Sequence, residues 1–157
     1  MSIRTPQDLR DAYRKFNEKV LSNPSATLAD MRADAEVFAE MTTEPTAVAT
    51  ESVNAGGVPA LMLTPEHCKS DRVLQYTHGG GYVFCSAASH RRLAGHIAKA
   101  IGCRALVLDY RLAPEHPHPA PVNDAIAAYR WLLAQGIQPQ HIAFSGDSAG
   151  GGLCLGA

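Results

Sequence analysis

The sequence has no run of the ~18 apolar residues that a membrane-spanning helix requires. It also has no imbalance of charge: 14 Lys and Arg stand against 15 Asp and Glu, a formal net charge of −1. The first absence predicts no membrane span. The second removes the electrostatic case for a nucleic-acid partner or an anionic lipid surface. No C-x-x-C pair occurs among Cys68, Cys85, Cys103 and Cys154. Each lies in or beside an apolar run, so they read as reduced thiols in or near a core, with a cytoplasmic home as the default. Met1 to Pro6 carries no apolar leader core. No G-K-[ST] and no G-x-G-x-x-G accompanies Gly79-Gly80-Gly81, which argues against a phosphate cradle. His116 and His118, at alternate positions in a proline-broken loop, have no further ligand cluster nearby in sequence, so no metal and no cofactor is expected. Internal repeats and low-complexity tracts are absent. What remains is a chain of 157 residues, 46% hydrophobic and 18% charged, enough for one ordinary globular domain.

The pattern along the chain changes once. Thr5-Pro6 supplies an N-cap and a first-turn proline, and Leu9, Tyr13, Phe16 and Val20 recur at helical spacing up to Asn23-Pro24. Thr27 with Asp30 opens a second helix, striped by Met31, Ala35, Phe38 and Met41. Both stripes read equally as ordinary core or as a cap over a site. After Pro45 short strands take over. Ala47 to Val53 and Val58 to Leu63 flank a turn at Asn54-Ala55-Gly56-Gly57, a hairpin. Pro65 to Asp71 reads as a polar loop and Arg72 to Tyr76 as a strand. His90 to Ile101 reads as a helix stopped by Gly102, and Cys103 to Tyr110 as a strand buried on both faces. Pro121 to Gln135 reads as a helix and His141 to Phe144 as a last strand. This alternation argues for right-handed βαβ crossovers. The predicted division is a helical segment at 1–43 and an α/β core at 44–157.

Chemistry concentrates in two glycine-rich stretches, each straight after a strand. Gly146-Asp147-Ser148-Ala149-Gly150 fits G-x-S-x-G, a serine on a tight strand-to-helix turn whose neighbours must be small. There the hydroxyl meets a helix N-terminus, which favours developing negative charge. His78-Gly79-Gly80-Gly81-Tyr82 fits the HGGG loop that offers main-chain N–H groups to an oxyanion.

With the block Asp109-Tyr110-Arg111-Leu112-Ala113-Pro114-Glu115-His116-Pro117-His118-Pro119-Ala120 and Asp124, these stretches resemble the hormone-sensitive-lipase-like esterases, whose nucleophile motif reads GDSAGG. His118 stands where that family usually has phenylalanine. The resemblance covers residues 72 to 152. It implies an α/β-hydrolase fold, a mostly parallel sheet with helices on both faces, under an N-terminal helical cap. It implies Ser148 as nucleophile, Gly80, Gly81 and Ala149 as oxyanion-hole donors, and His78, Gly79, Gly146, Asp147 and Gly150 as supports of the motif. Asp109, Arg111, Glu115 and Asp124 read as scaffolding, one internal salt-bridge network. His90 and His96, six apart on one helix, do not share a face well and read as poor candidates for a catalytic base or a metal site.

In that fold an acid and then a histidine follow the serine along the chain. After Ser148 the sequence has only Ala-Gly-Gly-Gly-Leu-Cys-Leu-Gly-Ala. The expectation is therefore an α/β-hydrolase fold cut after its nucleophile elbow, with the triad acid and histidine missing and a bare strand edge. The expected activity of the full-length form is hydrolysis of small carboxylic esters, of short acyl chains by the resemblance, with the isolated chain inactive or nearly so. Lactone, amide or carbamate hydrolysis, a non-catalytic binding protein and an inactive truncated product remain alternatives. The expected partner is a small-molecule ester, and the oligomeric state stays open, a homo-oligomer included.

Overall fold

The computed structural model describes residues 5–157, so the reading of Met1 to Arg4 as free of a leader, and the first residues of the 1–43 segment, lie outside the described residues. Helix α1 (Pro6–Ser22) and helix α2 (Leu28–Ala35) each start on a reciprocal capping box, Thr5 with Asp8 and Thr27 with Asp30. Such a box satisfies N–H groups that a first turn leaves without partners. A 3₁₀ turn, Glu36–Met41, completes the second stripe. Helix α1 buries no residue, and Leu9 and Tyr13 remain 40% and 46% exposed. Its stripe is thus not core. Tyr13 and Phe16 instead meet the ring of Phe38 at 5.8 and 5.2 Å.

The sheet has the order β1-β2-β4-β3-β5. Strands β1 (Val48–Ala55) and β2 (Val58–Pro65) form the hairpin, with the turn tightened to Gly56-Gly57. β2 runs antiparallel to β4 (Cys103–Leu108), while β3 (Lys69–Thr77) is parallel to both β4 and β5 (Ile142–Gly146). β3 begins three residues before the expected strand. Lys69 to Arg72 are exposed and polar, so no apolar run announced them; Lys69 donates its N–H to the Gly102 carbonyl, and a bulge separates it from Val73. Helix α3 (Ala87–Ile101) also starts three residues early, because Ser86 caps it and pairs with Ser89. Gly102 ends it in the left-handed region at φ 69°, where glycine has no Cβ penalty.

β4 alternates by the two-residue period of a strand. Leu106 and Leu108 join Met62, Ala128 and Leu132 on the face of α4 (Ala120–Ala134), together with Leu153 of α5 (Ser148–Gly156). Ala105 and Val107 join Leu63, Leu74 and Ala94 on the α3 face. Each fully buried leucine contributes about 1.5–3 kcal/mol. This sandwich holds the C-terminal ends of β3 and β5 side by side. β5 forms one edge of the sheet, with Phe144 41% and Leu155 of α5 93% exposed. Cys85 and Cys103 are buried, Cys68 and Cys154 partly so, and all four are unpaired. Among the described residues no helix is long and apolar enough to cross a membrane.

Candidate active site

The parallel pair β3 and β5 ends in register, Thr77 opposite Gly146, so the two glycine-rich stretches leave the sheet as neighbours. The elbow can close only because its flanking residues lack side chains. A β-carbon on Gly146 would lie 2.5 Å from the Thr77 carbonyl oxygen, and one on Gly150 would overlap that oxygen outright. Thr77 also binds this turn, its hydroxyl donating to the Gly150 carbonyl at 2.8 Å. Ser148, at the apex, is exposed and sits at φ +49°, a left-handed conformation that costs a non-glycine residue about 1–3 kcal/mol. Helix α5 starts at Ser148, so the N–H groups of its first turn, Ala149 included, lack helical partners and carry the positive end of the dipole.

The glycine loop is shaped residue by residue. Gly80 takes φ +109° and Gly81 φ +64°. The Gly80 carbonyl accepts N–H bonds from Val83 and Phe84 at 3.0 and 2.9 Å, and a β-carbon on Gly80 would strike the Phe84 carbonyl. A β-carbon on Gly79 would strike the Asp147 carboxylate instead. His78 is fully buried, stacked on Tyr110 at 4.3 Å. Its Nδ1 lies 2.7 Å from the Gly79 carbonyl, so that nitrogen carries the proton and donates. Burial pushes the imidazole down to about 4 against the opposing pull of that carbonyl, which keeps it neutral near pH 7. Tyr110 donates its hydroxyl to the His78 carbonyl at 2.6 Å.

Asp147 joins the two stretches. Its Oδ1 accepts the Gly79 N–H at 3.0 Å and the Tyr76 hydroxyl at 3.0 Å, and lies 3.4 Å from His90 Nε2. Burial works to raise this carboxyl, yet His90, Tyr76 and the Gly79 amide outweigh it and hold it at about 2. Gly80, Asp147 and Ser148 border one cavity of about 520 Å³, walled by Leu9, Tyr13 and Phe38 of the N-terminal helical segment. Gly81 and Ala149 do not border it.

One contact was not anticipated and one reading is corrected. His90 is buried, borders the same cavity, and contacts both Asp147 and Ser89. The sequence hid this because its acidic partner lies in a different loop far along the chain. The four charged residues of the middle block form no single network. Arg111 grips Asp124 through its main-chain N–H, Nε and Nη2, and Asp109 accepts the Ala87 N–H. Glu115 pairs instead with Arg32 of α2, at 2.8 and 2.7 Å. The same guanidinium donates to the carbonyls of Val83 and Ala113 at 2.8 and 2.9 Å.

Residues 74–157 match the family described as α/β hydrolase fold. An acetyl-hydrolase of Streptomyces hygroscopicus is 43% identical over 113 residues, 66% of this chain and 38% of that protein. A carboxylesterase of Mycobacterium tuberculosis is 35% identical over 135 residues, covering 82% of this chain and 41% of its own. The crystal structure of an esterase from the bacterial hormone-sensitive lipase family superposes with a TM-score of 0.86 at 44% identity, over 98% of this chain and 51% of that one. The chain thus spans about two fifths of these curated relatives and half of that solved structure.

Proposed function

The chain belongs to the hormone-sensitive-lipase-like group of α/β-hydrolases, and from that premise we propose that it carries the nucleophile and the oxyanion donors of a carboxylic ester hydrolase. The observation that carries this reading is the shared cavity: the exposed Ser148 hydroxyl at a strained elbow, with Gly80 of the other loop on the same wall. Ser148 Oγ adds to the carbonyl carbon of a small ester. The main-chain N–H groups of Gly80, Gly81 and Ala149 receive the charge on the carbonyl oxygen, each such donor contributing ~3 kcal/mol to the transition state. Collapse expels the alcohol and leaves an acyl-serine, which water then hydrolyses.

Residues 1–43 act as the cap in this reading. Leu9, Tyr13, Phe38 and Met41 turn apolar surface toward the cavity, which suits the uncharged substituents of an ester. The four unpaired thiols agree with a cytoplasmic home. The base that takes the Ser148 proton is assigned to no residue of this chain. His78 donates its Nδ1 proton to Gly79, and both ring nitrogens of His90 are engaged. The test is p-nitrophenyl acetate hydrolysis by the protein at its natural length, with and without Ser148→Ala. Loss of turnover in S148A is the expected result, and undiminished turnover overturns the assignment. The 157-residue chain by itself hydrolyses the ester slowly or not at all; brisk serine-dependent turnover would show a base within it.

A further inference from the structure

His90 is a buried titratable group for which the proposed chemistry has no use. It sits on the first turn of α3, one residue after Ser89, whose hydroxyl closes the capping box with Ser86. Its Nδ1 lies 2.9 Å from Ser89 Oγ and its Nε2 3.4 Å from Asp147 Oδ1. The ring stands 5.6 Å from that of His78 and 6.3 Å from that of Tyr76.

The tautomer follows from the partners. An ionised carboxylate only accepts hydrogen bonds, so the nitrogen that faces Asp147 carries a proton. Ser89 then decides the other nitrogen. If its hydroxyl proton goes to the Ser86 carbonyl, 2.8 Å away, Nδ1 is protonated as well and the ring is a cation. If the hydroxyl turns to Nδ1, the ring is neutral. Nε2 keeps its proton in both cases, so the contact with Asp147 survives either charge state.

We propose that His90 is a positioning residue for the oxyanion loop: through Asp147 Oδ1 it fixes the carboxylate to which the Gly79 N–H is bound, and so sets where the Gly80 N–H points. The mechanical link is short. Gly79 packs so closely on the carboxylate that not even a methyl group fits between them. A carboxylate that rotates after losing one donor drags Gly79 with it, and Gly80 is the next residue. A loop shift that spoils one donor without removing it costs less than the 10²–10³-fold of a deleted donor, roughly tenfold. The proposal rests on Gly80 being an oxyanion donor, but the readout chosen needs no turnover.

The experiment compares His90→Gln and His90→Asn in the 157-residue chain by amide NMR, following the Gly79 N–H resonance. A glutamine places an N–H where Nε2 stands, and an asparagine places one where Nδ1 stands. The expected result is that H90Q keeps the shifted, exchange-protected Gly79 signal and H90N loses it. Retention of the signal in both variants, its loss in both, or its loss in H90Q alone overturns the proposal. Failure of either variant to fold overturns it too, since packing alone would then account for the residue. In the unmutated chain the ring nitrogen shifts must report a protonated Nε2; a bare Nε2 also overturns it. With the natural-length protein, H90N lowers kcat for p-nitrophenyl acetate roughly tenfold at similar KM, and H90Q recovers most of it. If that protein hydrolyses no ester at all, the esterase reading fails while the Gly79 resonance still judges His90.

Discussion

The carbonyl oxygen of Thr77 occupies the place that a β-carbon on Gly150 would need, and the Thr77 hydroxyl holds the Gly150 carbonyl at 2.8 Å. The last residue of β3 is thereby locked to the first turn of α5 from both sides. Gly150→Ala cannot be relieved by a small shift, because the oxygen it meets belongs to a central strand and the turn is tethered. We expect G150A to cost about 3 kcal/mol, the upper part of the usual range for overpacking. Gly152 is the control. Its β-carbon would meet only the Tyr82 hydroxyl, at 3.2 Å, and alanine gains up to ~1 kcal/mol over glycine in a helix. G152A is therefore neutral or stabilising. Urea midpoints of the two variants check the contrast.

Ser148 stores strain at φ +49°. Glycine releases it, whereas alanine keeps the β-carbon that causes it. Ser148→Gly should be about 1 kcal/mol more stable than Ser148→Ala. Both lack the hydroxyl, so both should fail to react with a fluorophosphonate. A denaturant curve on each variant separates the effect of the backbone from that of the hydroxyl; equal midpoints would mean that the elbow is relaxed.

His78 gives a pH dependence of known sign. Its folded value is depressed to about 4, chiefly by burial, while the unfolded chain titrates near its ordinary value of ~6.5. The unfolded state binds the extra proton between these values. Stability is therefore complete above pH ~6.5 and lost as the pH falls toward 4, by on the order of 3 kcal/mol. His78→Asn should remove that slope. Urea unfolding from pH 8 to 4 in the two proteins reads it directly.

Asp147 acts in a lower window and for the opposite reason. Its folded value lies at about 2, held there against burial by donors on three sides. The carboxylate favours the folded state above its unfolded value of ~3.9 and loses that contribution as the pH falls toward 2. Asp147→Asn should flatten the acid limb between pH 4 and 2 and leave the His78 limb between 6.5 and 4 in place. Acid unfolding followed by circular dichroism distinguishes the two limbs.

These groups show what a linear reading reaches. The caps at Thr5 and Thr27, the stop at Gly102 and both glycine motifs depend on neighbours within a few residues, and each is legible in the sequence. Strand β3 starts earlier than its apolar run because Lys69 pairs with Cys103 ahead of a bulge, while the side chains from Lys69 to Arg72 face water. The strand order, with β4 between β2 and β3, has no local signature. His90 was invisible as a partner of Asp147 for the same reason. The two meet only because parallel pairing of β3 and β5 brings the elbow beside the loop that precedes α3. Arg32 crosses from α2 to Glu115, a pairing that no periodicity encodes.

Arg32 leads to the last prediction. Its guanidinium reaches Glu115, which is half exposed, and two main-chain carbonyls, those of Val83 and Ala113. Solvent screens the ion pair, so the pair alone contributes little. The carbonyls are partly buried and lose their donor when the arginine goes, and an orphaned acceptor costs more than an exposed pair. Val83 follows Tyr82 in the glycine loop, and Ala113 lies in the loop after β4, where its N–H donates to the Tyr82 carbonyl at 2.8 Å. Arg32 thus clamps the helical segment to the loop that continues from Gly80 and Gly81. Arg32→Ala should lower the Tm by about 5 °C, and Glu115→Gln by clearly less. In 1 M salt the wild-type Tm should fall less than it does in R32A at low salt, because screening weakens the ion pair and leaves the carbonyl bonds. Thermal unfolding of the three proteins at low and high salt decides it: equal losses for R32A and E115Q would place the whole contribution in the ion pair and leave the loop unclamped.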